Sequence, residues 1–281
     1  SGASIKAQIY AADGTRVGGE FLVNTYAAGD QFQPTITGLT NGGFVVSWFD
    51  ISGTLGDASG TSIKAQIYAA DGARVGSEFL VNTYAANNQA FPTITGLTNG
   101  GFVVSWYDFS GTLGDASGAS IKAQIYAADG TRVGSEFLVN TYAASDQVDP
   151  TITGLTHGGF VVSWSDFSGT LGDASGTSIK VQIYAADGAR VGSEFLVNTE
   201  TANSQAYPTI TGLTNGGFVV SWEDYSGTLG DSNGGSIKAQ IYAADGTRVG
   251  SEFLVNTETA NSQEYPTITG LTTGGFVVSW F

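Results

Sequence analysis

The chain has 281 residues, 41% hydrophobic and 12% aromatic, enough apolar surface for a large core, so a disordered chain is excluded. Only 12% are charged, yet the formal net charge is −15, which excludes nucleic acid and anionic membrane surfaces as partners and favours a cation or a basic partner. Without cysteine there is no disulfide or thiolate metal site, and no apolar run reaches the roughly 20 residues that would insert in a bilayer.

Turn chemistry divides the first part of the chain into four short runs rich in β-branched and aromatic residues. Strands are predicted over Ile5–Ala11 and Val17–Asn24, joined through Asp13-Gly14, then over Pro34–Leu39 and Phe44–Trp48, joined through Asn41-Gly42-Gly43. The pattern then recurs. Ser-Ile-Lys begins at Ser4, Ser62, Ser120, Ser178 and Ser236, and the tryptophans are Trp48, Trp106, Trp164, Trp222 and Trp280, both series stepping by 58 residues.

Four antiparallel strands per repeat predict an all-β, five-bladed β-propeller. The blades fall at 34–83, 92–141, 150–199 and 208–257, with a composite fifth from 266–281 plus 4–25 that closes the ring by pairing the first strands of the chain with the last. Phe44, Val46 and Trp48 face one way and Val45 and Ser47 the other, so both faces suit burial between neighbouring blades. With no methionine and no basic-then-apolar opening, the sequence also reads as part of a longer polypeptide.

Alternating strand direction sends the loops 50–60 and 25–33 to one face of the ring, with their equivalents. Lys6, Arg16 and their repeats are expected to balance the recurrent Asp13 and Glu20. The net charge then falls on fifteen further acids of the loop face, among them Asp30, Asp146, Asp149, Glu200, Glu223, Glu258 and Glu264. Differences between repeats concentrate there too, at 29–33 and its equivalents and just after each tryptophan, and this marks the docking face.

The other eight acids are Asp50, Asp57, Asp108, Asp115, Asp166, Asp173, Asp224 and Asp231, paired within Gly-rich and Ser-rich loops. Paired carboxylates, hydroxyls and inward-turned carbonyls fit an oxygen cage for Ca²⁺. The competing reading gives the same aspartates Asx-turns and the glycines backbone shape alone. Trp48 and its equivalents read as blade core before sugar-stacking platforms, and His157, at a turn position held elsewhere by Asn41 and Thr273, reads as a surface substitution. Identical acids repeated around a ring give no unlike groups with assigned roles, so no enzyme is expected.

The segments Gly42-Gly43-Phe44-Val45-Val46-Ser47-Trp48, Ile63-Lys64-Ala65-Gln66-Ile67-Tyr68-Ala69-Ala70-Asp71-Gly72 and Gly76-Ser77-Glu78-Phe79-Leu80-Val81-Asn82-Thr83 resemble repeats of very large secreted bacterial proteins of the RTX or hemolysin type, or adhesins. The resemblance implies an extracellular or cell-surface setting, calcium, and adhesion or display. The Gly-rich calcium nonapeptides of that group are absent. The expectation is a non-catalytic, monomeric adhesion module whose acidic loop face takes a glycan or a cell-surface protein. A carbohydrate-binding propeller lectin and a purely structural repeat scaffold are the alternatives.

Overall fold

The computed structural model describes residues 2–26 and 28–281. Among these residues the chain forms strands and turns without a helix, so none is long and apolar enough to cross a membrane. A hairpin of β1 (Lys6–Tyr10) and β2 (Arg16–Leu22) comes first. The first full sheet contains β3 (Gln31–Gly38), β4 (Phe44–Asp50), β5 (Ser62–Tyr68) and β6 (Arg74–Leu80). The second contains β7 (Gln89–Gly96), β8 (Phe102–Asp108), β9 (Ser120–Tyr126) and β10 (Arg132–Leu138). The third contains β11 (Gln147–Gly154), β12 (Phe160–Asp166), β13 (Ser178–Tyr184) and β14 (Arg190–Leu196). The fourth contains β15 (Gln205–Gly212), β16 (Phe218–Asp224), β17 (Ser236–Tyr242) and β18 (Arg248–Leu254). A hairpin of β19 (Thr267–Gly270) and β20 (Phe276–Ser279) ends the series.

Each full sheet is an antiparallel meander in chain order, which is the parity that puts the long loops on one face. The first strands line the axis, with β3 against β7, β7 against β11, β11 against β15 and β15 against β19. The chain thus has the five-bladed β-propeller fold, with β1–β2 and β19–β20 as separate two-stranded sheets at its two ends. Their ladder hydrogen bonds lie within each hairpin. At the seam, positions covered elsewhere meet solvent: Ile36 is 60% exposed, whereas Ile94, Ile152 and Ile210 are 7–8% exposed.

Hydrophobic cores form between sheets, since one blade has two apolar faces and cannot bury either alone. Leu39, Val45, Ile63, Ile67 and Val81 of one blade pack with Ile94, Phe102, Val104, Trp106 and Tyr126 of the next. Trp48, Trp106, Trp164 and Trp222 have no exposed surface, so these four are core and not platforms. Polar contacts lock the same interface. Tyr126 Oη donates to Val81 O at 3.2 Å, and the Arg132 guanidinium donates to Thr83 Oγ1 at 2.6 Å and to Val81 O at 3.0 Å.

The innermost strand starts at Gln31, three residues ahead of its predicted start at Pro34. The ladder continues across the proline because the register shifts between Phe32 and Thr35, with Gln33 at φ 47°. A bulge accommodates a residue that has no N–H to donate. At the axis, successive inner strands come close enough that the Gly154 N–H donates to Thr95 Oγ1 at 2.9 Å. A Cβ on Gly154 would lie 2.6 Å from Gly96 O. Gly154→Ala is therefore expected to destabilise by about 1–3 kcal/mol as overpacking does, measured by urea unfolding. A loss under about 0.5 kcal/mol, the level of an ordinary surface change, would show that the inner strands can move apart.

Candidate functional site

The aspartate loops hold a cation already present in the chain. Lys64 Nζ lies 2.8 Å from Asp50 Oδ1 and 3.7 Å from Glu78 Oε1, with both partners buried. It donates to Ser52 Oγ at 2.8 Å and to Thr54 Oγ1 at 2.5 Å, and the Tyr26 ring of the preceding blade covers it at 5.3 Å. The same pair forms at 2.8 Å between Lys122 and Asp108, Lys180 and Asp166, and Lys238 and Asp224. The expected charge balance is corrected accordingly: in the complete blades these lysines sit nearer the loop aspartates than the recurrent glutamates, because the strand register places Trp48 opposite Lys64 and sends both side chains inward. Only the exposed Lys6 pairs with Glu20 alone, at 2.7 Å.

The second aspartate of each loop is spent elsewhere. Asp57 Oδ2 accepts from Asn82 Nδ2 at 2.8 Å, and Asp115, Asp173 and Asp231 accept from Asn140, Asn198 and Asn256 at 2.7 Å. Asn82 in turn accepts from the Ile63 N–H at 2.8 Å, so this aspartate ties together the loop and the strand end behind it. Asp50 and Asp57 thus have separate partners. Among the described residues no three His, Cys, Asp or Glu side chains converge as a metal group.

The other candidate surface is the channel mouth on the loop face. A funnel of about 460 Å³ opens on the axis, walled by Gln33, Phe91, Asp149, Tyr207 and Tyr265 with the Pro-Thr pair that follows each. All five wall residues have φ between 47° and 53°, so the bulge aims five equivalent side chains at one point. A second ring is formed by the residue after each tryptophan, Phe49, Tyr107, Ser165, Glu223 and Phe281. Three of them reach the wall residue of the following blade: Phe49 packs on Phe91, Ser165 Oγ accepts the Tyr207 N–H at 3.2 Å, and Glu223 Oε1 accepts the Tyr265 N–H at 2.5 Å.

Here near-identical repeats become unlike one another. Asp149 forms part of the funnel wall, and burial raises its carboxyl above the ordinary aspartate range. Glu223 is 1% exposed; burial, then the Glu264 and Asp149 charges, push it up as well. Tyr225 Oη donates to Glu223 Oε2 at 3.4 Å. Burial, and then Asp149, push the Tyr107 phenol up to about 12. Tyr207 and Tyr265 lie 5.0 Å apart between centroids and are 41% and 50% exposed. The half-buried Asp149 and the exposed Tyr207 and Tyr265 thus share one concave mouth, with Glu223 buried against the Tyr265 backbone N–H and Glu264 next to Tyr265 in the chain. Such a set can bind a polyol and hold a proton beside it.

No family model and no curated protein matches this sequence. Solved structures do match in shape. An α-L-arabinofuranosidase of Fusarium graminearum in complex with an iminosugar inhibitor is similar with a TM-score of 0.62 at 12% identity, over 96% of this chain and 78% of that one. A Penicillium chrysogenum α-L-arabinanase complexed with arabinobiose gives 0.59 at 17%, over 99% and 81%. A Trypanosoma rangeli sialidase in complex with an inhibitor gives 0.56 at 11%, over 97% and 48%. At such identities the likeness carries the fold.

Two expectations are corrected at this point, that the protein is a non-catalytic adhesion or display module and that it is no enzyme. The chains it is similar to are carbohydrate-processing enzymes. The argument against catalysis assumed the same groups in every repeat, and the two rings of the channel mouth break that assumption. Asp149, Glu223 and Glu264 were legible as acids of the varied face. The place of Asp149 in the axial funnel was not, because the bulge that carries it has no signal beyond the proline that follows.

Proposed function

We propose that the protein is a carbohydrate-active propeller that binds a glycan in the channel mouth and hydrolyses a glycosidic bond there. The observation that carries this reading is the half-buried carboxyl of Asp149 in the wall of an axial funnel that it shares with the exposed Tyr207 and Tyr265. Asp149 gives its proton to the glycosidic oxygen as the bond to the anomeric carbon breaks. Water adds to that carbon and loses a proton to Glu264. Glu223 acts through its neighbours as a positioning residue, holding the Tyr265 backbone and the local charge. The arabinose-processing activity of similar structures supports a neutral sugar as substrate, and the resemblance to secreted repeats supports an extracellular setting.

Incubation with arabinan and with aryl glycosides of neutral sugars, followed by reducing-end and chromophore assays, tests this. Products above the spontaneous rate are expected. Calorimetric binding without product would overturn the hydrolytic step and leave glycan binding; neither binding nor product would overturn the reading altogether.

A further inference from the structure

Along one side of the channel mouth five aromatic rings form an unbroken line. Phe32 lies 5.3 Å from Phe49 and Phe49 lies 6.0 Å from Phe91, measured between centroids. Phe91 stacks on Tyr107 at 5.0 Å, and Tyr107 meets Phe109 edge-on at 5.5 Å. Phe32, Phe91 and Phe109 are 37%, 41% and 40% exposed. The blade does not need this line, since positions equivalent to Phe32 and Phe49 hold Val148 and Ser165 in the third full blade and Ala206 and Glu223 in the fourth. The Phe91 and Phe109 positions keep aromatic rings in other repeats, as Tyr207 and Phe167, but the line is joined through Phe32 and Phe49 only here, and a contiguous, partly exposed apolar strip of this kind indicates a binding surface. It meets the funnel at Phe91, which lines the same wall as Asp149.

We infer that this strip is a track for an extended, uncharged oligosaccharide whose chain runs from Phe109 or Phe32 toward Asp149, an inference that rests on the channel mouth being a glycan site. A sugar ring presents a flat patch of C–H groups to an aromatic face and keeps its hydroxyls in water, which suits rings left half-exposed. The track crosses two blades, so it exceeds one sugar. The exposed Asp146 and the half-buried Asp30 and Glu264 on the same face repel uronic or sulfated chains and leave uncharged ones as the occupant.

The full chain is titrated calorimetrically with uncharged arabino-, xylo-, manno- and gluco-oligosaccharides of one to six units, with oligogalacturonates of equal length as the acidic comparison. Affinity for at least one uncharged series is expected to rise on the order of a hundredfold from one unit to six. Phe32→Ala and Phe109→Ala should each remove roughly tenfold of that gain, with melting temperatures reporting that both variants fold. Equal affinity for one and six units, or equal affinity for oligogalacturonate, overturns the track. Turnover of a single-sugar aryl glycoside without any length effect sinks the track while hydrolysis at Asp149 stands; absence of both binding and turnover sinks the two together.

Discussion

Asp149→Asn is expected to lower glycoside hydrolysis by about 10²–10⁴-fold, the usual contribution of a positioned acid, while the folded protein becomes no less stable near neutral pH. The two halves of this result share one cause. Burial raises the Asp149 pKa, so the folded state holds the proton more tightly than the unfolded chain, whose aspartate titrates near its ordinary value of about 3.9. The group's favourable contribution is therefore fully present below that value and is lost as pH rises through the folded pKa. Asparagine never ionises, so the variant should gain on the native protein in melting temperature between pH 3 and pH 7. Hydrolysis by the native protein should fall over the same rise in pH, as the acid form is lost. An Asp149→Asn protein that keeps native turnover, or that melts lower at pH 7 than at pH 3 by as much as the native chain, would remove Asp149 from both roles.

The repeat, the strands and the blade order were legible because each rests on local chemistry: Gly-rich hairpin turns, alternating side chains and five tryptophans at one spacing. Interior placement of Trp106 followed from the same alternation. Sequence reasoning fared less well where a long side chain crosses between elements. The repeat pattern sets Lys64 against Asp71 and Glu78 in the charge balance, and its burial against Asp50 depends on a cross-strand register that the repeat length does not encode. The channel mouth was half legible. Variation at 29–33 and after each tryptophan marked the right face, but spacing alone cannot say that Asp149 and Glu223, in different blades, act on one another.

Lys122→Met should cost about 3–5 kcal/mol, the range for breaking a buried ion pair from one side, read as a shift in urea midpoint at constant slope. Methionine fills most of the stem, so packing is nearly conserved and the deficit reports charge. Asp108, fully buried, loses its ammonium at 2.8 Å, and Glu136 loses the cation at 3.6 Å. Two carboxylates then remain in a low-dielectric interface with the Ser110 and Thr112 hydroxyls, which the lysine had also engaged. Adding Asp108→Asn should restore at least half of the loss, since the asparagine carbonyl can still accept the Ser110 N–H that Asp108 accepts at 2.7 Å. Lys6→Met is the internal comparison. Its side chain is 58% exposed and its Glu20 partner 60% exposed, so the melting temperature should scarcely change. Equal shifts for Lys6→Met and Lys122→Met would mean that the lysine cages contribute no more than surface charge, and that the blades are joined by their apolar faces alone.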